Sequence, residues 1–139
     1  MRKTQRKTDR KEVDAVLFHF SGDKPIYLQI AEQLEDAIFT GLYPEETQIP
    51  STTEIAATER INPATVLKGV NLLVEQSLLY KKRGIGMFVK AGATEQIREK
   101  RQREFANQFI TPLLKEAEKL GSSDAEICKL IEKGYKHES

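Results

Sequence analysis

The stretch Ile61–Lys90, INPATVLKGVNLLVEQSLLYKKRGIGMFVK, changes character part-way along. Its first half reads as a helix. Asn62 suits the N-cap, Pro63 the first turn, and Val66, Val70, Leu73 and Val74 recur at helical spacing as a buried stripe. After Leu79 the pattern becomes two short strands around Arg83-Gly84-Ile85-Gly86, where glycines allow the positive φ angles of a tight hairpin. Immediately upstream, STTEIAATERI reads as a short helix. Ser51 is its N-cap, Glu54 completes a capping box three residues later, and Ile55 and Ala56 face inward. Two helices joined at Glu59-Arg60-Ile61 form a helix-turn-helix pattern, and the basic hairpin behind them is placed as a wing.

Working outward, DKPIYLQIAEQLEDAIFTG predicts a first helix. Pro25 occupies its first position, Ile26, Ile30, Leu34 and Ile38 form its apolar stripe, and Gly41 follows its end. GLYPEETQIP reads as a loop. Downstream, a long helical pattern runs from Thr94 to Leu120, with Ile97, Phe105, Phe109, Leu113, Ala117 and Leu120 on one side and Pro112 expected to kink or divide it. A last helix is expected from about Ser123 to Lys133, offering Ile127, Leu130 and Ile131. The fold class is therefore α+β, mostly α. A basic tail (1–22), expected to be partly disordered over its first dozen residues, precedes a winged-helix domain (23–91) and a helical dimerisation region (92–139).

At 139 residues, 39% hydrophobic and 31% charged, the chain has room for one domain with a core plus a small appendage. No apolar run approaches the length of a membrane span, and the basic amino terminus lacks the apolar segment of a signal peptide, so a cytoplasmic protein is expected. The single cysteine, Cys128, cannot form an internal disulfide, and its apolar neighbours suggest a buried structural thiol.

The net charge of +1 hides an asymmetry. Lys24–Glu59 holds one base against seven acids, whereas Arg60–Lys90 holds six bases against one acid. Six more bases stand in the first eleven residues. Positive charge gathered on one segment suggests an anionic partner, with nucleic acid the first candidate. On the third helix Asn62, Ala64, Thr65 and Lys68 offer small and hydrogen-bonding groups to base edges in a major groove. Lys81, Lys82 and Arg83 are placed to reach phosphates, and Gly84 and Gly86 let a thin loop approach a minor groove.

The residues PIYLQIAEQLEDAIFTGLY, IPSTTEIA and INPATVLKGVNLLVEQSLLYKKRGIGMFV together resemble the GntR-type winged-helix transcription regulators over about Pro25 to Lys90. The NPATV start and short tail resemble the small YtrA-like subfamily, since about 49 residues after Lys90 are too few for the effector domains of larger members. The resemblance implies a homodimeric regulator of double-stranded operator DNA, most often a repressor, suggests control of a transporter operon, and adds Ser51, Thr52 and Thr53 to the DNA-contacting residues. Thr53 and Pro63 stand where arginines are common, Ser77 where glycine is usual, Gly69 where alanine is usual, and Met87 where threonine is frequent.

Two-fold pairing is expected through Ile97, Phe105, Phe109, Leu113 and Leu120, because a winged helix has little surface left to cover such a stripe. A small-molecule effector, unidentified by the sequence, is expected between the tail and the winged domain or between subunits. His19 and His137 sit near opposite ends, and no phosphate loop or nucleophile elbow occurs, so neither enzyme, cofactor nor metal is expected. The alternative is a winged helix used for protein contact without specific DNA binding. Such a face would expose large apolar residues, whereas Asn62, Thr65 and Lys68 are polar.

Overall fold

The computed structural model describes residues 16–138, so the expectation for the first dozen residues lies outside the described region. The chain divides into two compact units, one ending at Arg98 and one spanning Glu99–Ser139.

The first unit is built on three helices: α1 (Ile26–Phe39), α2 (Thr52–Glu59) and α3 (Pro63–Glu75). Pro25 stands one position earlier than its sequence assignment. It has the extended ψ of a cap (142°), and its carbonyl accepts from the amides of Leu28 and Gln29. Gly41 follows α1 at φ 87°, the left-handed conformation expected of it. The stripes of α1 and α3 meet in one core holding Ile30, Leu34, Ile38, Val66, Val70 and Leu73. Each such side chain contributes about 1.5–3 kcal/mol by leaving water. Gly69 allows the close approach: a Cβ built on it would lie 2.7 Å from the Tyr27 carbonyl oxygen. At the end of α3, Ser77 adopts φ 62°, which accounts for glycine being usual at that position.

Strands β1 (Leu79–Lys82) and β2 (Gly86–Val89) pair antiparallel, with Leu79 opposite Val89 and Tyr80 opposite Phe88. GLYPEETQIP proves to be more than a loop. The amides of Glu46 and Ile49 donate to the carbonyls of Val89 and Met87, and the Val89 amide donates to Thr47, so residues 46–49 line the open edge of β2. Pro44, Pro50 and the left-handed Glu46 (φ 67°) keep that ladder short and hide it from a periodicity reading.

Helix α4 (Ala93–Phe105) begins within this unit. Ala93 and Ile97 are fully buried in the winged core, which carries the domain boundary past residue 92. The assignment of Ile97 to a dimer face is corrected accordingly. With no exposed surface, Ile97 has nothing to offer a second copy.

Residues 16–24 lie along α1. The Gln33 side-chain amide accepts from the His19 amide and donates to its carbonyl (3.0 and 2.8 Å). Gln29, nine-tenths buried, accepts from the Ser21 amide and donates to the Ser21 and Lys24 carbonyls. Val16 and Phe18 pack on the core, and Phe18 stacks on Phe20. The latter part of the basic tail is therefore an ordered strap on the winged unit.

In the second unit a π-helical turn (Ala106–Ile110) leads into α5 (Thr111–Leu120), and α6 (Asp124–Glu138) follows. Pro112 lies in the first turn of α5 and lacks an N–H for the Gln108 carbonyl, and the widened turn precedes it. Gly121 at φ 70° ends α5, with Gly121 and Ser122 amides donating to Glu118 and Ala117 carbonyls in a Schellman arrangement. A capping box of Ser123 and Glu126 starts α6, which runs farther than its sequence pattern indicated. Cys128 is exposed, against the expectation of a buried thiol: α6 turns Ile127 inward and its neighbour outward.

Candidate nucleic-acid interface

Helix α2 starts as its chemistry dictates. The Ser51 hydroxyl accepts from the Glu54 amide (3.0 Å), and the Glu54 carboxylate accepts from the Ser51 amide (3.4 Å). Arg60 ends it in the left-handed region (φ 56°), and the Ile61 amide donates back to Ala56. Ile61 then packs on the core, locking the angle between α2 and α3. Asn62 caps α3 by accepting from the Ala64 amide (2.8 Å). Ser51 and Thr52 are half-buried, and Thr53 is exposed in the first turn of α2.

The outward face of α3 consists of Pro63, Ala64, Leu67, Lys68, Asn71 and, at its last residue, Glu75. Ala64, Leu67 and Asn71 follow i, i+3, i+7 spacing and share one side. Thr65 is half-buried, turned from the centre of that face. The Lys68 ammonium stands 4.0 Å above the centre of the Tyr27 ring, a cation–π contact that draws it toward α1. Leu67 and Asn71 were missed because residue type, rather than angular position from Ala64, guided the choice. The i+3, i+7 spacing was the available signal.

The wing supplies exposed charge. Lys81, Lys82 and Arg83 are all exposed. The Ile85 amide donates to Lys82 across a turn that holds Gly84 at φ 76°. The Lys82 ammonium lies 4.2 Å from the centre of the Phe88 ring, beside the cross-strand pair of Tyr80 and Phe88. The Tyr80 hydroxyl donates to Glu46 (3.1 Å); burial first, then that carboxylate, raises its pKa. Gln48 was a further residue the sequence did not single out. Its side-chain amide donates to the Ile85 carbonyl (3.0 Å) and lies where a Cβ on Gly86 would stand. Gly86 is thus needed for this bracing as well as for its φ of 148°.

Behind the wing, the Glu45 carboxylate accepts from the amides of Gly92 (2.8 Å) and Thr94 (3.1 Å) at the start of α4. Those hydrogen bonds, Gly92 first, hold its pKa below the ordinary value. Of the residues expected to pair subunits, Phe105, Phe109, Leu113 and Leu120 are exposed, with the two phenylalanine rings 5.6 Å apart.

A helix-turn-helix with a basic hairpin behind it is a winged-helix DNA-binding architecture. The family model for bacterial regulatory proteins of the gntR family matches residues 26–89. The HTH-type transcriptional regulator YhcF of Bacillus subtilis is 30% identical over 118 residues, covering 81% of this chain and 91% of that protein. A GntR-family transcriptional regulator of Bacteroides thetaiotaomicron superposes with TM-score 0.70 at 36% identity, covering 82% of this chain and 99% of that one. YtrA of Sulfolobus acidocaldarius, a GntR-family transcription factor, matches with TM-score 0.51 at 27% identity, over 66% of this chain and 97% of its own. The chain belongs to the GntR family. It is a transcriptional regulator and not an enzyme.

Proposed function

We propose that the protein is a sequence-specific regulator that binds a near-palindromic operator as a homodimer and represses transcription. The observation that carries this reading is the pairing of a solvent-facing third helix with an exposed Lys81-Lys82-Arg83 wing. One supplies groove contacts and the other phosphate contacts. Site residues follow as a proposal. Ala64 faces the major groove, Lys68 at the edge of that face joins Lys81, Lys82 and Arg83 in binding phosphates, and Ser51, Thr52, Thr53 and Thr65 flank the reading face. Asn62, Gly84 and Gly86 shape the backbone that presents them. Repression is supported by a relative over the DNA-binding segment: the transcriptional repressor NagR of Bacillus subtilis is 39% identical over 72 residues, although these form only 30% of that protein.

Dimerisation is assigned to the second unit, through Phe105, Phe109, Leu113 and Leu120. Large apolar side chains left open on so small a helical unit call for a second copy to cover them. Two copies present two recognition helices to half-sites about one helical turn, or a multiple, apart. Among the described residues no helix is long and apolar enough to cross a membrane, and the proposed site of action is the cytoplasm. The test is retention of genomic fragments by the purified protein at physiological salt, with sedimentation at micromolar concentration. A shared near-palindrome and a dimer that Phe109→Asp dissociates are expected. Indiscriminate retention, or a wild-type monomer, overturns the reading.

A further inference from the structure

The recognition helix exposes a large apolar side chain at the centre of its outer face. Leu67 is 48% exposed and has no part in the core, although the same helix buries Val66 and Val70 completely. Ala64 lies one turn before it and Asn71 one turn after, both exposed. The polar residues that residue type nominates for base reading are committed elsewhere. The Asn62 side-chain oxygen accepts from the Ala64 amide, which holds that side chain at the start of the helix as its cap. Thr65 is half-buried, and the Lys68 ammonium rests on the Tyr27 ring at the α1 edge of the face, a place suited to a phosphate. What remains between Ala64 and Asn71 is the Leu67 side chain, and exposed cations stand at Lys68 on the same helix and at Lys81, Lys82 and Arg83 on the wing.

We propose that Leu67, supported by Ala64, reads thymine 5-methyl groups in the major groove. The thymine methyl is the one apolar group that the four base pairs present there, so an exposed leucine flanked by bases on the protein side has a matching target in DNA. Asn71, on the same line, is the remaining polar reader and faces the adjoining base pair. The inference rests on the DNA-binding reading and gives it a specificity: half-sites carry thymines at the positions opposite Leu67, and cytosine or uracil there is disfavoured.

The experiment takes the full-length protein and an operator enriched from a random duplex pool. Each thymine is replaced by deoxyuridine, symmetrically in both half-sites, which removes only the methyl. Wild-type affinity is expected to fall about fourfold per half-site at the thymines facing Leu67, the change that one buried methyl group implies. Leu67→Ala should bind the thymine operator more weakly and lose its response to uridine at those positions. Folding is not at stake, because alanine is the better helix former at an exposed position. Uridine without effect at every position, or an equal response in Leu67→Ala, overturns this inference and leaves the DNA-binding reading standing. A pool from which no sequence is enriched overturns both.

Discussion

Replacing Gly69 by alanine adds one methyl group to the face of α3 that meets α1. The new carbon would lie 2.7 Å from the Tyr27 carbonyl oxygen and 3.1 Å from Ile30 Cγ2. A backbone carbonyl inside a helix cannot swing aside, so the two helices must separate. Overpacking of this kind costs about 1–3 kcal/mol. Alanine gains roughly 1 kcal/mol over glycine in a helix interior, which offsets part of that cost. The net expectation is a loss of about 1 kcal/mol, which lowers Tm by roughly 4–8 °C for a domain of this size. Gly134 in α6 provides the control, since nothing lies within 4 Å of its added Cβ. Gly134→Ala should therefore stabilise its helix by roughly 0.5–1 kcal/mol through propensity alone. Thermal unfolding by circular dichroism compares both variants with wild type at one fixed protein concentration, because association shifts the midpoint. If Gly69→Ala matched or exceeded the wild-type Tm, the close approach of α1 and α3 described here would be refuted.

Ser77→Gly should raise stability by up to about 1 kcal/mol, because it removes left-handed strain at φ 62° against a smaller entropic loss; an unchanged denaturation midpoint would count against that strain. The Glu45 carboxylate has a lowered pKa, so its contribution is present above the ordinary carboxylate pKa and is lost as pH falls through the depressed value. Glu45→Gln should abolish that acid-side dependence and speed exchange of the Gly92 and Thr94 amides, read by NMR across the acid range. For the wing, Arg83→Ala should weaken binding to all duplexes alike and reduce the slope of log affinity against log salt by about 1, measured by titration at several salt concentrations.

The helix-turn-helix was legible because its signals are local chemistry. Ser51 and Glu54 name one helix start, Asn62 and Pro63 another, and the structure uses all four side chains as read. Pairing of residues 46–49 with β2 was not legible, since a ladder between segments some forty residues apart leaves no periodic trace beside two prolines. The strap hid for a related reason: Gln29 and Gln33 look like ordinary surface polars until Ser21 and His19 are seen to meet them. Along α3 the choice of Asn62 and Thr65 as readers followed residue type, whereas helical angle brings Leu67 to the front. Ile97 shows the converse hazard, in which an apolar residue that continues a spacing is already buried in the winged core.

The two glutamines on α1 have a consequence for how the protein responds to its surroundings. Their amides are neutral donors and acceptors with nothing to titrate, and each satisfies both partners it meets. The amide contacts of His19 and Ser21 are therefore indifferent to pH and to ionic strength, whereas Lys24, paired with Glu32 at 2.9 Å on the exposed side of α1, adds one contact that salt screens. Salt that weakens the phosphate contacts proposed for Lys81, Lys82 and Arg83 leaves the glutamine contacts in place. The molecule thus keeps two classes of polar contact, one that answers to the ionic environment and one that is deaf to it, and the contacts proposed for DNA belong to the first.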